Sequence, residues 1–429
     1  MTKIVDIENI KRDIKKQYFD FSKTKESFNN NRYYSDIPFT DFNKVNKRTS
    51  LKKLNLNWGE KDLPERIRTK HVHRLHPYLG KFIPQIPEIF LRKFKPKCVL
   101  DPFMGSGTTM VESLSLGIDS IGVDISEFNC LISKVKTDNY DINLLTKEVD
   151  KMLGFLNDYK EMRENRDQFS LFQLDESFLD KVPNNDYFEK WFSEKSREGL
   201  YFFLSKIEQF HYLDFFKLVL SRSTRSSRKV KHFDLDFPKE PQNEPYDCRK
   251  HHRTCKPTSD SLKFLVRYLK DGLKRITEFS NIKHDNKSKI IHGDSTKVDF
   301  GEFDLVFTSP PYVGLLDYHE QHKYSFEILG LDIEKNKEKE IGRSKLGLNK
   351  KSKELYRSLM SDVYKNIHRQ LPLNCRVITV VNDKHNIYKP KDFGFRETQK
   401  IERHVNRRTG RRNSDFYESI LIWKKVRNS

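Results

Sequence analysis

The sequence predicts an α/β protein built on a doubly wound sheet, and two neighbouring strand patterns carry that prediction. CVLDPF (98–103) is a short apolar stretch, and it is followed by two glycines and by a segment of helical spacing over 106–117. DSIGVDIS (119–126) then reads as a second strand. A strand, a glycine loop, a helix and another strand in this order begin a doubly wound sheet.

Strand patterns resume late in the chain. Five segments carry them: KSKIIHGDST (287–296), FDLVFTSPPY (303–312), CRVITVVND (375–383), GFRETQKIERHV and DFYESILIWKK. A helix is predicted over 354–371, where the apolar residues form one stripe. The long stretch between the two groups of strands is mostly helix-like and basic. The expected divisions are an N-terminal arm (1–70), a first catalytic part (71–139), a large, mostly helical insert (140–285) and a second catalytic part (286–429).

Composition points to a nucleic-acid partner. The 429 residues carry a formal net charge of +20, which favours a polyanionic ligand, although a generally lysine-rich proteome would give the same sign. No apolar run reaches the roughly 18 residues of a membrane span. The charged N-terminus does not resemble a signal peptide, and the five scattered cysteines suit a reducing compartment. We therefore expect a cytoplasmic protein.

The loop DPFMGSGTT (101–109) is typical of a cofactor site. Gly105 and Gly107 allow a ligand to approach the backbone, but the third glycine of a dinucleotide fingerprint is missing. Asp124 follows Gly105 by 19 positions (124 − 105), the spacing of an acid that binds ribose hydroxyls. The pattern predicts a ligand with a ribose and without a diphosphate; the alternative is an ordinary glycine turn.

The strand over 303–308 ends in an unusually rigid sequence. Two prolines follow Ser309, and proline both lacks an N–H group and restricts the residue before it. The Ser309 hydroxyl and the Pro310 carbonyl can accept both hydrogens of an exocyclic amino group, and Tyr312 can stack on the base. Rigidity of this kind would orient the amino lone pair toward an electrophile. The alternative is a proline-rich turn without a function.

Together, DPFMGSGTT, GVDIS and TSPPY resemble the S-adenosylmethionine-dependent amino-methyltransferases that modify DNA at cytosine N4 or adenine N6. The resemblance covers roughly 71–139 and 287–425, and it implies a mixed, seven-stranded Rossmann-like methyltransferase sheet. It implies a catalytic tetrad at Ser309, Pro310, Pro311 and Tyr312. It also implies that S-adenosylmethionine is bound by the HPYLGKF element, the glycine loop and two strand-end acids: His76, Tyr78, Lys81, Phe82, Asp101, Phe103, Gly105, Gly107, Thr108, Asp124 and Asp294.

Serine in the first tetrad position resembles the cytosine-N4 enzymes, whereas adenine-N6 enzymes more often carry Asp or Asn there. The chain has no Pro-Cys dipeptide, which argues against the covalent mechanism of carbon-5 cytosine methylation. The resemblance therefore implies a modification enzyme for double-stranded DNA, with a companion restriction endonuclease as a possible partner. An RNA amino-methyltransferase and a catalytically silent nucleic-acid-binding subunit are the alternatives.

Two basic segments are candidates for phosphate contact, as serine and arginine together suit that role. The candidates are Arg222, Arg225, Arg228, Lys229 and Lys231 in the first segment, and Arg407, Arg408, Arg411 and Arg412 in the second. CRKHHRTC (248–255) holds two cysteines and two histidines. Structural zinc sites usually combine two chelating elements, and the sequence shows only one here. We therefore expect a basic loop without a metal.

Overall fold

The computed structural model describes residues 37–59, 61–165, 185–236, 238–312, 317–342, 349–383, 387–405 and 416–427. Its helices are α1 (Glu65–Arg68), α2 (Gln85–Phe94), α3 (Thr108–Ser115), α4 (Glu127–Thr137), α5 (Ile142–Glu164), α6 (Asp186–Trp191), α7 (Glu194–Lys206), α8 (Leu213–Ser227), α9 (Leu262–Ser280), α10 (Tyr318–Gln321), α11 (Lys323–Leu329), α12 (Glu334–Lys337) and α13 (Lys350–Gln370). Its strands are β1 (Cys98–Asp101), β2 (Asp119–Asp124), β3 (Tyr246–Cys248), β4 (Arg253–Cys255), β5 (Ser288–His292), β6 (Leu305–Thr308), β7 (Arg376–Val381), β8 (Phe395–Val405) and β9 (Phe416–Lys425).

Seven strands form one mixed sheet, as predicted. Their order is β5-β2-β1-β6-β7-β9-β8. The first five are parallel, and β9 runs antiparallel between β7 and β8. Because β1 and β6 are parallel neighbours, the glycine loop and the proline-rich strand end emerge at the same edge of the sheet.

Both faces of the sheet are buried, which explains the near-continuous apolar strands. Val99 and Leu305 point to one face and pack in a core that includes α2. Leu100 and Val306, the next residue in each strand, point to the other face and pack against α13. The alternation with period two is the property of a strand that fixes the direction of each side chain.

The insert is a helical body that shares its core with the catalytic part. Helices α5 to α9 pack around apolar residues that include Phe216 and Leu269, and Val111 of α3 and Phe128 of α4 belong to the same cluster. The insert also contains a feature that the helical prediction missed, a small antiparallel hairpin of β3 and β4. None of the described helices is both long enough and apolar enough to cross a membrane.

The prediction of an N-terminal arm is wrong for the part of it that the structure describes, from Ile37 onward. These residues pack on the sheet face that also carries α2, and Trp58 is buried there with its indole N–H donating to the Thr40 carbonyl at 3.1 Å. The Arg403 side chain of β8 donates to the Leu56 carbonyl at 3.1 Å. Apolar anchors of this kind are sparse between the lysines and asparagines, so composition alone suggested a polar arm.

Helix α2 begins at Gln85, so that Pro87 lies within its first turn. Pro87 occupies the third helical position, where the backbone N–H would have no intrahelical acceptor. A proline in the first turn is therefore compatible with the helix.

Candidate active site

A crevice opens beyond the carboxyl ends of the central strands. It offers about 840 Å³ of empty space, including the part open to solvent, which suits a ligand of nucleoside size. Its lining comes from the glycine loop (102–106 and Thr108), the end of β2 (124–126), the turn after β5 (293–295), Ser309 and Pro311 after β6, the segment before α2 (Tyr78 and 80–82), Asn129, and two later segments (318–319 and 339–341).

The glycine loop depends on the absence of two side chains. Gly105 has φ +50°, and a Cβ there would lie 2.9 Å from the Tyr78 hydroxyl oxygen. Gly107 has φ +74°, and a Cβ there would lie 2.8 Å from Oγ of Ser133. Both positions combine left-handed backbone with tight packing, so each needs glycine on two counts. The loop is thereby pressed against Tyr78 and α4 in one conformation.

Asp101 joins the glycine loop to the strand that precedes the tetrad. Its carboxylate accepts hydrogen bonds from the Thr109 hydroxyl at 2.6 Å, the Thr308 hydroxyl at 2.7 Å and the Phe103 N–H at 3.2 Å. Burial raises the pKa of Asp101 to about 6, although these three hydrogen bonds oppose the shift. Asp101 thus fixes the start of α3 and the end of β6 relative to each other.

Asp124 lies at the end of β2 and lines the crevice. Its carboxylate accepts the Gly105 N–H at 2.9 Å on one oxygen, and the Ser126 N–H at 2.9 Å and the Asn129 side-chain amide at 3.0 Å on the other. Burial raises its pKa, and these hydrogen bonds oppose the rise. A carboxylate has about four acceptor sites, so this one retains capacity for a ligand hydroxyl.

Lys81 contributes a cation to the crevice. Its ammonium group donates to the His73 carbonyl at 2.8 Å. Burial lowers the pKa of Lys81 to about 8, and among the described residues no carboxylate lies within salt-bridge distance of it. A negatively charged group of a ligand would give the Lys81 ammonium the ion-pair partner that it lacks among the described residues.

The segment Ser309–Tyr312 is held by one aromatic and one acidic side chain from the second catalytic part. The Tyr356 hydroxyl of α13 donates to the Pro311 carbonyl at 2.8 Å. The Tyr312 hydroxyl donates to the Glu418 carboxylate of β9 at 3.3 Å. Ser309 faces the crevice together with Pro311. The strand end therefore places Ser309 in the same crevice as the glycine loop, on a backbone that these hydrogen bonds hold.

Comparison with known proteins identifies the family. A sequence profile described as DNA methylase matches residues 9–135. The type II methyltransferase M.MjaII of Methanocaldococcus jannaschii is 38% identical over 84% of this chain and 82% of its own length. The chain belongs to the N4/N6 DNA methylase family. M.MvaI of Kocuria varians is more distant, at 26% identity over 56% of this methylase and 53% of the relative.

Similarity to solved structures is weak. TrmN from Thermus thermophilus superposes with a TM-score of 0.32 at 12% identity, covering 81% of this chain and 50% of that one. The rRNA methyltransferase aviRa from Streptomyces viridochromogenes gives the same TM-score at 10% identity, covering 81% and 88%. Values this low say nothing about the substrate of the methylase.

The methyl donor of the family is S-adenosylmethionine, and the crevice fits it chemically. Asp124 retains acceptor capacity for ribose hydroxyls, and the half-buried Lys81 ammonium suits the carboxylate of the methionine part. Gly105 of the glycine loop lines the same crevice as these two residues. Bound in this crevice, S-adenosylmethionine would supply an activated methyl group.

Most of the residues predicted to bind the cofactor line this crevice. They are Tyr78, Lys81, Phe82, Phe103, Gly105, Thr108, Asp124 and Asp294. The remaining three, His76, Asp101 and Gly107, lie behind the lining, where they hold the elements that form it. His76 bridges the Pro77 carbonyl at 2.8 Å and the Ser221 hydroxyl at 3.0 Å. Because none of these three residues lines the crevice, their contact with the cofactor stays a prediction.

Sequence reasoning missed the residues that face the glycine loop from the other side. Tyr318 stacks on Tyr78 with ring centroids 5.6 Å apart. Glu340 accepts the Tyr318 N–H at 2.8 Å and pairs with Nδ1 of His319 at 2.5 Å. These residues belong to short helices and loops without a motif. The only available signal was the unusual density of aromatic and histidine residues over 318–324.

Most of the first basic segment, which was predicted to contact phosphates, lies inside the fold, because residues 221–227 are the end of α8. Arg222 pairs with Asp271 at 2.6 Å, Arg225 pairs with Asp236, and the Arg228 guanidinium lies 4.8 Å from the centre of the Tyr324 ring. Their positive charges therefore interact with side chains of the methylase itself. Lys229 is half-buried and Lys231 is exposed. The second segment, with Arg407, Arg408, Arg411 and Arg412, lies outside the described residues.

Proposed function

We propose that this methylase transfers a methyl group to N4 of cytosine in double-stranded DNA, as the modification enzyme of a type II restriction–modification system. A companion endonuclease would then cleave the same sequence where it is unmodified. The observation that carries the base assignment is Ser309, which occupies the first tetrad position and faces the crevice of the glycine loop. Adenine N6 is the alternative base, because serine in this position is a tendency of the N4 enzymes and not a rule.

The geometry supports direct attack by the amino nitrogen. The target base leaves the DNA stack and enters the crevice. The Ser309 hydroxyl and the Pro310 carbonyl accept its two amino hydrogens, and among the described residues no donor occupies that carbonyl. Both acceptors are fixed by the proline-rich backbone, so they orient the nitrogen lone pair without reorganisation in the transition state. Transfer would form the nitrogen–methyl bond as the sulfur–methyl bond of the donor breaks and its thioether leaves, and the methylated nitrogen would pass one proton to solvent water to regain its neutral form.

Tyr312 is proposed to stack on the face of the base. Its hydroxyl is held by Glu418, which in turn pairs with Arg403 at 2.9 Å. A ring fixed at its far end offers a flat surface at low entropic cost. Stacking is tolerant of base identity, so Tyr312 would orient either cytosine or adenine and does not discriminate between them.

Contact with DNA phosphates is proposed for Lys229 and Lys231 and for the four arginines of 407–412. The net charge of +20 supports this assignment. If six to ten phosphates are neutralised, DNA affinity should fall by about 10³- to 10⁵-fold between 50 and 200 mM salt. Fluorescence anisotropy with a labelled duplex measures this slope, and a nearly flat slope would contradict the assignment.

The test of the function is product analysis. The purified protein is incubated with labelled S-adenosylmethionine and either DNA or RNA, and the nucleosides are separated. We expect N4-methylcytosine in DNA; N6-methyladenine would replace the base assignment, label only in RNA would replace the substrate class, and no product would indicate a silent subunit. Ser309→Ala should lower turnover by about 10²- to 10³-fold, the usual cost of one preorganised polar contact. Cofactor binding by the variant, measured separately, should survive.

A further inference from the structure

Four potential metal ligands converge at the hairpin of the insert. His232, Cys248, His251 and Cys255 each offer one ligand atom, and these four atoms all lie within 4.8 Å of one another. Nδ1 of His232 lies 3.7 Å from the Cys248 sulfur, and Nδ1 of His251 lies 3.7 Å from the Cys248 sulfur and 3.4 Å from the Cys255 sulfur. The second chelating element that the sequence did not reveal is His232, 16 positions before Cys248 (248 − 232).

These separations match the edges of a zinc tetrahedron. With Zn–S of about 2.3 Å and Zn–N of about 2.0–2.1 Å, tetrahedral angles place sulfur and nitrogen ligands about 3.6 Å apart. The three nitrogen–sulfur distances of 3.4, 3.7 and 3.7 Å scatter closely around that value. These three nitrogen–sulfur pairs therefore already have the spacing that a single tetrahedral ion requires, and the remaining pairs of ligand atoms lie within 4.8 Å.

The hairpin also has a very small apolar core among the described residues. Its strands β3 and β4 have three residues each, and a two-stranded hairpin of that size is marginal in water. The apolar cluster at its centre consists of Tyr246 and the two cysteines alone. A metal ion is the usual replacement where a core is too small to hold a fold.

The ligand set indicates which metal the site would take. Two thiolates and two imidazoles select Zn²⁺ over Mg²⁺ and Ca²⁺, which prefer oxygen ligands. Four protein ligands close the tetrahedron and leave no position for water or substrate, as in structural sites. We propose that His232, Cys248, His251 and Cys255 bind one structural zinc ion, which holds the β3–β4 hairpin to the chain that leaves α8.

The surroundings are compatible with bound zinc. Two thiolates balance the charge of the ion, and binding releases their two protons. His252, between His251 and Arg253, turns away with φ +50° and is exposed. His252 lies in the same hairpin but is not one of the four proposed ligands.

Metal content of the intact protein tests the proposal directly. The full-length chain, produced in zinc-supplemented medium and purified without chelator, should carry about one zinc per chain by elemental mass spectrometry. Cobalt exchanged into the site should give the visible bands of tetrahedral Co²⁺ and a thiolate charge-transfer band. A chain that binds neither zinc nor cobalt would overturn the proposal, and so would a Cys248–Cys255 disulfide in protein purified under reducing conditions.

Variants locate the site. Cys248→Ser and His232→Asn should each lower the zinc content to less than about a tenth of the wild-type value, because a three-ligand site binds structural zinc weakly. His252→Asn is the matched control, since asparagine tolerates left-handed backbone, and it should keep full zinc, as should Cys375→Ser. Equal zinc loss in the controls would refute the assignment.

A measurement on the wild-type chain covers the case in which the ligand variants do not fold. Thiol alkylation followed by peptide mass spectrometry should show Cys248 and Cys255 protected until a strong chelator is added, whereas Cys375 should not respond to the chelator. Protection that does not depend on metal would contradict the site. None of these measurements requires methyl transfer, so their result is independent of the proposed function.

Discussion

Substitution of Gly105 by alanine should damage the cofactor loop, and the cost can be worked out from two contacts. The residue has φ +50°, and an added Cβ would meet three atoms of the Tyr78 ring and hydroxyl at 2.9, 3.2 and 3.3 Å. Left-handed backbone costs a residue with a Cβ about 1–2 kcal/mol. Overpacking against a ring adds about 1–3 kcal/mol.

The ring cannot easily move away. Tyr78 stacks between Tyr318 and His322, with centroid separations of 5.6 and 5.3 Å, and its hydroxyl accepts the Asn129 amide at 3.3 Å. The loop will therefore shift instead and must return to its wild-type position when the cofactor binds. If the shift of the loop relieves about 2–4 kcal/mol of this strain in the free protein, cofactor binding must impose that strain again. The affinity for S-adenosylmethionine then falls by about 30- to 1,000-fold.

Isothermal titration calorimetry with S-adenosylmethionine measures this loss. Gly154→Ala is the matched control, because Gly154 lies inside α5 with no atom within 4 Å of an added Cβ. That variant should bind the cofactor normally and unfold with a free energy higher by about 0.5–1 kcal/mol. Cofactor affinity of Gly105→Ala within twofold of the wild type would refute the reasoning.

The contact with Tyr78 can be isolated by a double-mutant cycle. Tyr78→Phe removes the hydroxyl oxygen, the atom nearest to the added Cβ. Gly105→Ala should therefore cost less in the Tyr78→Phe background than in the wild type, with a coupling of about 0.5–3 kcal/mol between residues in contact. Additive effects would show that backbone strain alone accounts for the loss.

Two further predictions concern ionisable groups of the site. Burial raises the pKa of Asp101 to about 6, so its contribution to stability is present below about pH 4 and is lost as the pH rises through 6, a cost of about 3 kcal/mol. Asp101→Asn should therefore gain about 3 kcal/mol in free energy of unfolding relative to the wild type between about pH 4 and pH 7; a difference independent of pH would contradict this. Burial lowers the pKa of Lys81 to about 8, so deprotonation above that pH should weaken cofactor binding in the wild type. Lys81→Arg, whose side chain stays charged, should show a smaller decline between pH 7.5 and about 9.5, and equal declines would remove Lys81 from the binding of the carboxylate.

The central strands were predictable because their signals are local. CVLD is apolar and ends at a glycine loop, and LVFT ends at two prolines, so each strand fixes its own boundary. Parallel neighbours then place both loops at one edge without further information. Most of the residues predicted for the cofactor and the tetrad line the crevice at this edge, and their roles stay predictions.

The arginines of α8 show where local reasoning fails. Serines around Arg222, Arg225 and Arg228 suggested contact with DNA phosphates, yet a spacing of three places these residues on one side of a helix. Their partners Asp271 and Asp236 come from elsewhere in the insert. Whether a charge contacts DNA or an internal carboxylate is decided by tertiary packing. The same holds for His232, which joins the cysteine hairpin only after the chain has folded back.

The described contacts also connect the insert mechanically to the cofactor crevice. His76 precedes Tyr78 of the crevice by two residues and bonds the Ser221 hydroxyl of α8 at 3.0 Å, and Ser221 bonds Ser325 of α11 at 2.7 Å. All three side chains are fully buried or nearly so, and buried hydrogen bonds are costly to break. A shift of α8 on DNA binding would therefore have to move the segment that carries Tyr78 and Lys81. Because Tyr78 also presses on Gly105, the position of the insert and the shape of the cofactor loop are set by one continuous set of contacts.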